Sequence, residues 1–522
     1  MCDPMTYPLL FPNGEDGWHS NMPYTTSTRR ERDLAAAAAM DVDEEDVDIF
    51  PMIGERLPST STEDQPVDEA VESDQEPEDQ VDEENDPQRL NRNTGHRKRV
   101  TQCEFYSSLI SIRDFFNVVL AGGPLTQQWL ADSYVKIEAN RINYIKEHQA
   151  DLQVAQYNGL MDYVHNRAER ENAAVGSVYI LPSSFIGSPR AMKQSYQDAM
   201  AICGKHGKPT FFLTFTCNPK WQEITNNIPN YQTASDRPDI VARVFNQKKK
   251  KLVHDIEKRQ VLGYATARIH VIEFQKRGLP HCHMLIWIEK HDAPQSAEEI
   301  DTTICAEIPD KATNLRLHNI VMSHMIHGPC GALNKNSPCM DGNKCAKIFP
   351  KALCQETVLN DNGYPTYRRR DTGVTYLLKR GQTDFVVDNR WVVPYNPWLS
   401  LKYDSHINLE YCASIVSVKY IFKYCHKGHD CMKVDQKLGT YQQQEGQAPT
   451  IEWDEITSHL NARYVSAPEA TWRIFQFPLA DRSHCIVRLA VHLPQSVYYG
   501  LSLRVLHHTR RASLEKCNFG RC

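Results

Sequence analysis

Two runs rich in apolar and β-branched residues, YATARIHVIEFQKRG (264–278) and HCHMLIWI (281–288), flank a turn at Gly278–Pro280. Such runs around a glycine–proline turn read as two adjacent strands. PTFFLTFTCNP (209–219), aromatic, β-branched and bounded by prolines, reads as a further buried strand. The period of two along a strand puts His281 and His283 on one face and Cys282 on the other. Imidazoles two positions apart stand about 7 Å from each other and can converge on one ion. By the same arithmetic Glu273 and Gln275 share a face of the preceding strand while Phe274 points away, so either could supply a third ligand. A pair of partly exposed strand histidines without a ligand is the plainer reading of His-x-His by itself.

Around these strands the pattern is helical. Residues 102–172 alternate apolar and charged positions at helical spacing, as in WLADSYVKIEANRINYIKEH. SVYILPSSF (177–185) reads as a strand and turn, and SPRAMKQSYQDAMAICGKHG (188–207) as a helix with proline near its start and glycine at its end. The four lysines at 248–251 read as a solvated helix face, and 291–310 as a polar linker. No run of about 18 apolar residues appears, so no membrane span is expected. The N-terminus has neither the basic start nor the cleavage site of a secretory signal. Sixteen cysteines in an unsecreted chain read as reduced thiols, with metal ligation open to the clustered ones. An intracellular protein is expected.

The net charge of −6 conceals a division. Residues 41–90 hold 20 of the 65 acidic residues and two of the 59 basic ones, leaving 45 acidic against 57 basic elsewhere, a net of +12. A basic body suits a polyanion such as nucleic acid, although an unevenly charged solvated surface would give the same balance. Residues 28–100, low in aromatics and rich in Asp, Glu, Pro, Ser and Gln, are expected to be disordered. They end in Arg97, Lys98 and Arg99, a short basic cluster of the nuclear-import kind. GKHGKPT (204–210) falls short of the Gly-x-x-x-x-Gly-Lys-Ser/Thr phosphate loop, and no other stretch supplies one, so no ATP-driven motor is expected here.

Two further clusters carry chemistry. In SIVSVKYIFKYCHKGHD (414–430), Tyr420 and Tyr424 are neighbours on one helix face and Lys427 falls on the same side. An aromatic stripe facing a core is the usual reason for such spacing. Lys419, Lys423 and Lys427 crowd the same turns, however, which makes a poor core and a good anion site. A tyrosine hydroxyl of pKa about 10 becomes a nucleophile beside a lysine and a divalent ion. The 137-residue interval from His283 to Tyr420 is too long for one connection, so something folds within it. There His327, Cys330, Cys339 and Cys345 form His-x₂-Cys-x₈-Cys-x₅-Cys, a ligand set that suits tetrahedral zinc; buried free cysteines are the alternative. His406 and Glu410 read as structural.

GLPHCH with the downstream KYIFKYCHKG resembles the His-hydrophobic-His (HUH) endonuclease domain of Helitron rolling-circle transposases. YPLLFPNGEDGW (7–18), YILPSSFIGSPRAMKQSYQDAMAI (179–202), FFLTFTCNPKW (211–221), VIEFQKRGLPHCHMLIW (271–287), HGPCG (327–331), WVVPYNPWLSLKYDSHINLEYC (391–412) and RYVSAPEATWRIF (463–475) look like that family's blocks in order. The resemblance implies an α+β fold, an antiparallel sheet flanked by helices; the inserted Cys/His subdomain is read from the ligand spacing above, and the acidic insert and everything after Tyr499 depart from the family's pattern. It implies a family segment at 1–27, the insert at 28–100, a helical region at 101–176 and a nuclease core at 177–290. The inserted subdomain would take 291–390, the tyrosine helix 391–435, a C-terminal family region 436–499, and 500–522 is an unrelated tail. In function it implies nicking and strand transfer on single-stranded DNA, in the nucleus. His281, His283 and Gln275, with Glu273 second, would bind manganese or magnesium; Tyr420 and Tyr424 would be the nucleophiles and Lys427 would assist at the phosphate. Thr214 and Thr216 would pack. Full Helitron proteins carry a helicase after this domain, so a truncated copy is expected, with the motor supplied in trans. The other expectation is a catalytically inert, DNA-binding remnant.

Overall fold

Strand Phe211–Thr216 (β1) shows why the core forms where it does: Phe211, Leu213 and Phe215 are fully buried, while Phe212, Thr214 and Thr216 alternate with them on the opposite face. In this computed structural model the described residues are 2–23, 99–114, 116–149, 158–170, 173–274, 278–360, 365–380, 383–413, 440–442 and 450–487. Met1–Arg482 form one compact unit and Ser483–Cys522 a second, of which 483–487 are described.

The central sheet has five strands: β1, Ala265–Phe274 (β2), Pro280–Ile288 (β3), Ile407–Tyr411 (β4) and Ala480–Arg482 (β5), in the order β5-β2-β3-β1-β4. Every pairing is antiparallel. The expected pair of adjacent strands is a ten-residue and a nine-residue strand turning near Gly278. Gly278 has φ +87°, and a Cβ there would stand 2.9 Å from Pro468, so backbone freedom and close approach both require glycine.

One sheet face is covered by helix Pro238–Glu257, which buries Ile240, Val241, Phe245, Leu252 and Ile256 against Phe211, Leu213, Phe215, Ile272 and Phe274. Each such aliphatic or aromatic side chain removed from water contributes roughly 1.5–3 kcal/mol. The lysine run lies on this helix, but it is not wholly solvated. Lys249 is 5% exposed with its ammonium 5.8 Å from the Trp472 ring, whereas Lys250 and Lys251 are exposed. Its four-carbon stem lets it take a buried helix position.

The N-terminal residues join a second core. Tyr7, Leu10 and Phe11 pack on Tyr106, Trp129, Leu130 and Tyr134 from helices Gln102–Leu109 and Pro124–Glu147. Thr101 and Glu104 close a capping box at the first of these, satisfying the Thr101 and Glu104 amides at its entry. Helix Ala467–Ile474 contributes to both cores, with Trp472 in one and Ala470 and Ile474 in the other.

Two segments hang from narrow necks. Pro23 and Arg99 form an antiparallel bridge, and the Val100 amide donates to the Met22 carbonyl at 2.9 Å, so the chain enters and leaves 24–98 at one point. Replacing those 75 residues with about four of glycine and serine should keep the fold and stabilise it by about 2.5 kcal/mol of loop-closure entropy. Urea unfolding would show this, and a loss of stability would mean that the insert makes contacts of its own. Cys305 and Tyr395 exchange backbone hydrogen bonds of 2.8 and 2.9 Å at the second neck. Between them lies a separate core of Leu317, Val321, Phe385, Val387, Trp391 and Tyr395. The stretch expected as a polar linker instead contains helix Ala297–Thr303, whose Ile300, with Ile304 and Ala306 after it, enters the main core. Three buried residues suffice to anchor a segment whose composition is otherwise polar.

Candidate metal centre on the sheet face

The sheet face away from helix Pro238–Glu257 carries the histidines, and cross-strand register assembles them. Thr216 pairs with His281, which pairs with Glu273; Thr214 pairs with His283, which pairs with Val271. The Thr216 amide donates to the His406 carbonyl at 3.0 Å just before β4 begins. Glu273, His281, Thr216 and His406 thus form one row across four strand paths.

Both rings are anchored through the same atom. His281 Nδ1 lies 2.9 Å from the Thr216 hydroxyl, and His283 Nδ1 lies 3.1 Å from that of Thr214. The tautomer with hydrogen on Nδ1 donates it to the threonine and leaves the Nε2 lone pair for a ligand, the arrangement that orients metal-binding histidines. Phe212 lies parallel to the His283 ring with centroids 5.9 Å apart, and Glu273 Oε2 is 3.2 Å from His283 Nε2. His281 is 6% exposed, and among the described residues its Nε2 has no hydrogen-bond partner. A buried nitrogen left without a partner costs about 1–3 kcal/mol, and a divalent cation would satisfy it. The donor set of two imidazoles and a carboxylate fits such an ion.

Burial acts on the protonation of His281 and of His406 beside it. Burial, then the neighbouring His283 and His406, push His281 down to about 3 against the opposing pull of Glu273. His406 is also pushed below the usual range by burial, while its Nδ1 lies 2.8 Å from the His324 carbonyl. Both imidazoles are therefore neutral at pH 7.

Of the residues expected at the site, the structure brings together His281, His283 and Glu273. Gln275, Tyr420, Tyr424 and Lys427 lie outside the described residues. His327, Cys330, Cys339 and Cys345 place their ligand atoms within 4.8 Å of one another, a second group able to hold a metal ion. Thr214 and Thr216, expected to pack, instead hydrogen-bond the histidines. Their alternation with Phe211, Leu213 and Phe215 was the available signal, because it puts them on the face opposite the core. His406, expected to be structural, ends the row, which no local pattern reveals. Changing Thr216 to valine keeps shape but removes the ring's partner. It should weaken manganese binding, read by calorimetry, about 10- to 100-fold; unchanged affinity would mean the hydroxyl does not position His281.

Among the described residues no helix is long and apolar enough to cross a membrane. Residues 105–286 match the family described as the Helitron helicase-like domain at N-terminus, so the chain carries a domain of that family. The matched stretch contains β1, β2, nearly all of β3 and the Thr214, Thr216, Glu273, His281 and His283 side chains. No curated protein matches the chain.

Proposed function

We propose that this Helitron-type domain is a metal-dependent endonuclease that nicks single-stranded DNA and transfers the cut strand in rolling-circle transposition. One observation carries the reading: two histidines anchored through Nδ1 to threonines, with the buried, unpartnered Nε2 of His281 on the face that also presents Glu273. His281, His283 and Glu273 or Gln275 would hold manganese or magnesium. Bound there, the ion would draw charge from a phosphate oxygen of the DNA.

Tyr420 and Tyr424 supply the paired nucleophiles, one for cleavage and one for strand transfer. In the step, the tyrosine oxygen bonds to phosphorus and gives up its proton. The bond from phosphorus to the 3′-oxygen breaks, and that oxygen leaves as a hydroxyl once protonated. The products are a 5′-phosphotyrosine and a free 3′-end, with Lys427 beside the phosphate charge. The net +12 outside residues 41–90 supports a polyanionic partner, and a helicase acting in trans and a nuclear site follow from the same reading.

The test incubates purified protein with labelled single-stranded DNA and manganese or magnesium, then looks for a covalent adduct on denaturing gels. An adduct lost in Tyr420→Phe/Tyr424→Phe supports the nuclease. A folded, DNA-binding protein that gives none over many substrates would instead be an inert remnant.

A further inference from the structure

The second group of ligands lies in the inserted subdomain, outside the histidine row. His327 follows the C-terminus of helix Leu315–His324 by three residues. Its amide donates to the Trp391 carbonyl at 2.9 Å, and its ring stacks on Phe349 with centroids 4.1 Å apart. Cys339 and Cys345 bracket a minimal hairpin, Met340–Asp341 paired with Lys344–Cys345. Gly342 turns that hairpin at φ +59°, and the Ala346 amide closes it on the Cys339 carbonyl at 2.8 Å. Cys330 is 3% exposed.

The four ligand atoms lie within 4.8 Å of one another, with His327 Nε2 3.4 Å from Cys345 Sγ. A zinc tetrahedron with bonds of about 2.3 Å to sulfur and 2.0 Å to nitrogen has edges of about 3.5–3.8 Å. Small inward side-chain movements therefore close this group on an ion. None of the three thiols is in a disulfide. Packing alone would not collect three thiols around a ring nitrogen, since that nitrogen gains nothing from apolar neighbours.

We infer that His327, Cys330, Cys339 and Cys345 bind one zinc ion as a closed structural site. Three thiolates and an imidazole select zinc over magnesium or calcium, and four protein ligands leave no position for substrate. The subdomain between the Cys305–Tyr395 neck has a small core of its own, the setting in which a metal staple matters most. The ion also reaches the histidine row. The chain runs from His327 back to His324, whose carbonyl holds the His406 ring, and this last consequence rests on the nuclease reading above.

The test uses the full chain, purified without chelator. Elemental analysis should find about one zinc ion per chain, and cobalt exchanged into it should give the thiolate charge-transfer and d–d absorption of a tetrahedral site. Cys339→Ser/Cys345→Ser should lose both metal and spectrum, whereas His281→Ala/His283→Ala should retain them. Folded protein without zinc and without a cobalt–thiolate band overturns the site, and so does zinc retained in the cysteine variant. The cobalt measurement on the unmutated chain decides the matter even if the cysteine variant does not fold. Neither readout requires DNA cleavage, so this inference and the nuclease reading fail separately.

Discussion

Changing His281 to alanine should lower metal-dependent nicking at least about 1,000-fold while leaving the protein folded. A divalent ion at a phosphate supplies several kcal/mol of transition-state stabilisation, and each 1.36 kcal/mol is tenfold in rate. The substitution removes the buried Nε2 that has no partner among the described residues, together with the ring that Thr216 orients. What it removes from the fold is small, because that nitrogen contributes no hydrogen bond and the core lies on the other sheet face. Circular dichroism should therefore be unchanged while manganese binding and adduct yield collapse. Undiminished adduct in a folded His281→Ala protein would sink the assignment of the metal centre.

Changing Trp472 to alanine should cost about 3–5 kcal/mol of stability, the range for emptying a buried tryptophan site. The side chain is fully buried, ringed by Phe245, Phe274 and Phe477, and its indole nitrogen donates to the Pro478 carbonyl at 3.2 Å. Its helix packs on both Pro124–Glu147 and Pro238–Glu257, so the void opens where two cores meet. Arg463 deepens the coupling: it pairs with buried Glu138 of the first of those helices and with Glu469. Since domain stability is usually about 5–15 kcal/mol, the loss should shift urea unfolding strongly, with Trp472→Phe intermediate. A change under about 1 kcal/mol would mean that residues 463–482 lie outside the cooperative unit.

Much of the central sheet was legible in sequence because its signals are local. The period of two in FFLTFT and HCHMLIWI, with turn residues between apolar runs, identified three strands and put His281 and His283 on one face. Pro189 and Gly207 marked the ends of a helix, since these residues act on the backbone within a turn of where they stand. Helix Ala297–Thr303 was missed because Ile300, with Ile304 and Ala306 just beyond the helix, is a weak periodic signal in a polar stretch. The Cys/His group was visible as a ligand set, but only the fold brings residues up to 18 apart in sequence within one coordination sphere.

By itself, then, the sequence determined which residues have the chemistry of ligands and which strand face they share, because alternation is built into the backbone. Tertiary structure decided what those ligands lean on. Thr216 reaches His281 from 65 positions away in sequence, and His406 joins the row through a strand that enters the sheet only after the inserted subdomain. Register between distant strands follows from how whole faces bury their apolar area against one another. No local stretch encodes that balance, so the support of the two histidines emerges only when the sheet is assembled.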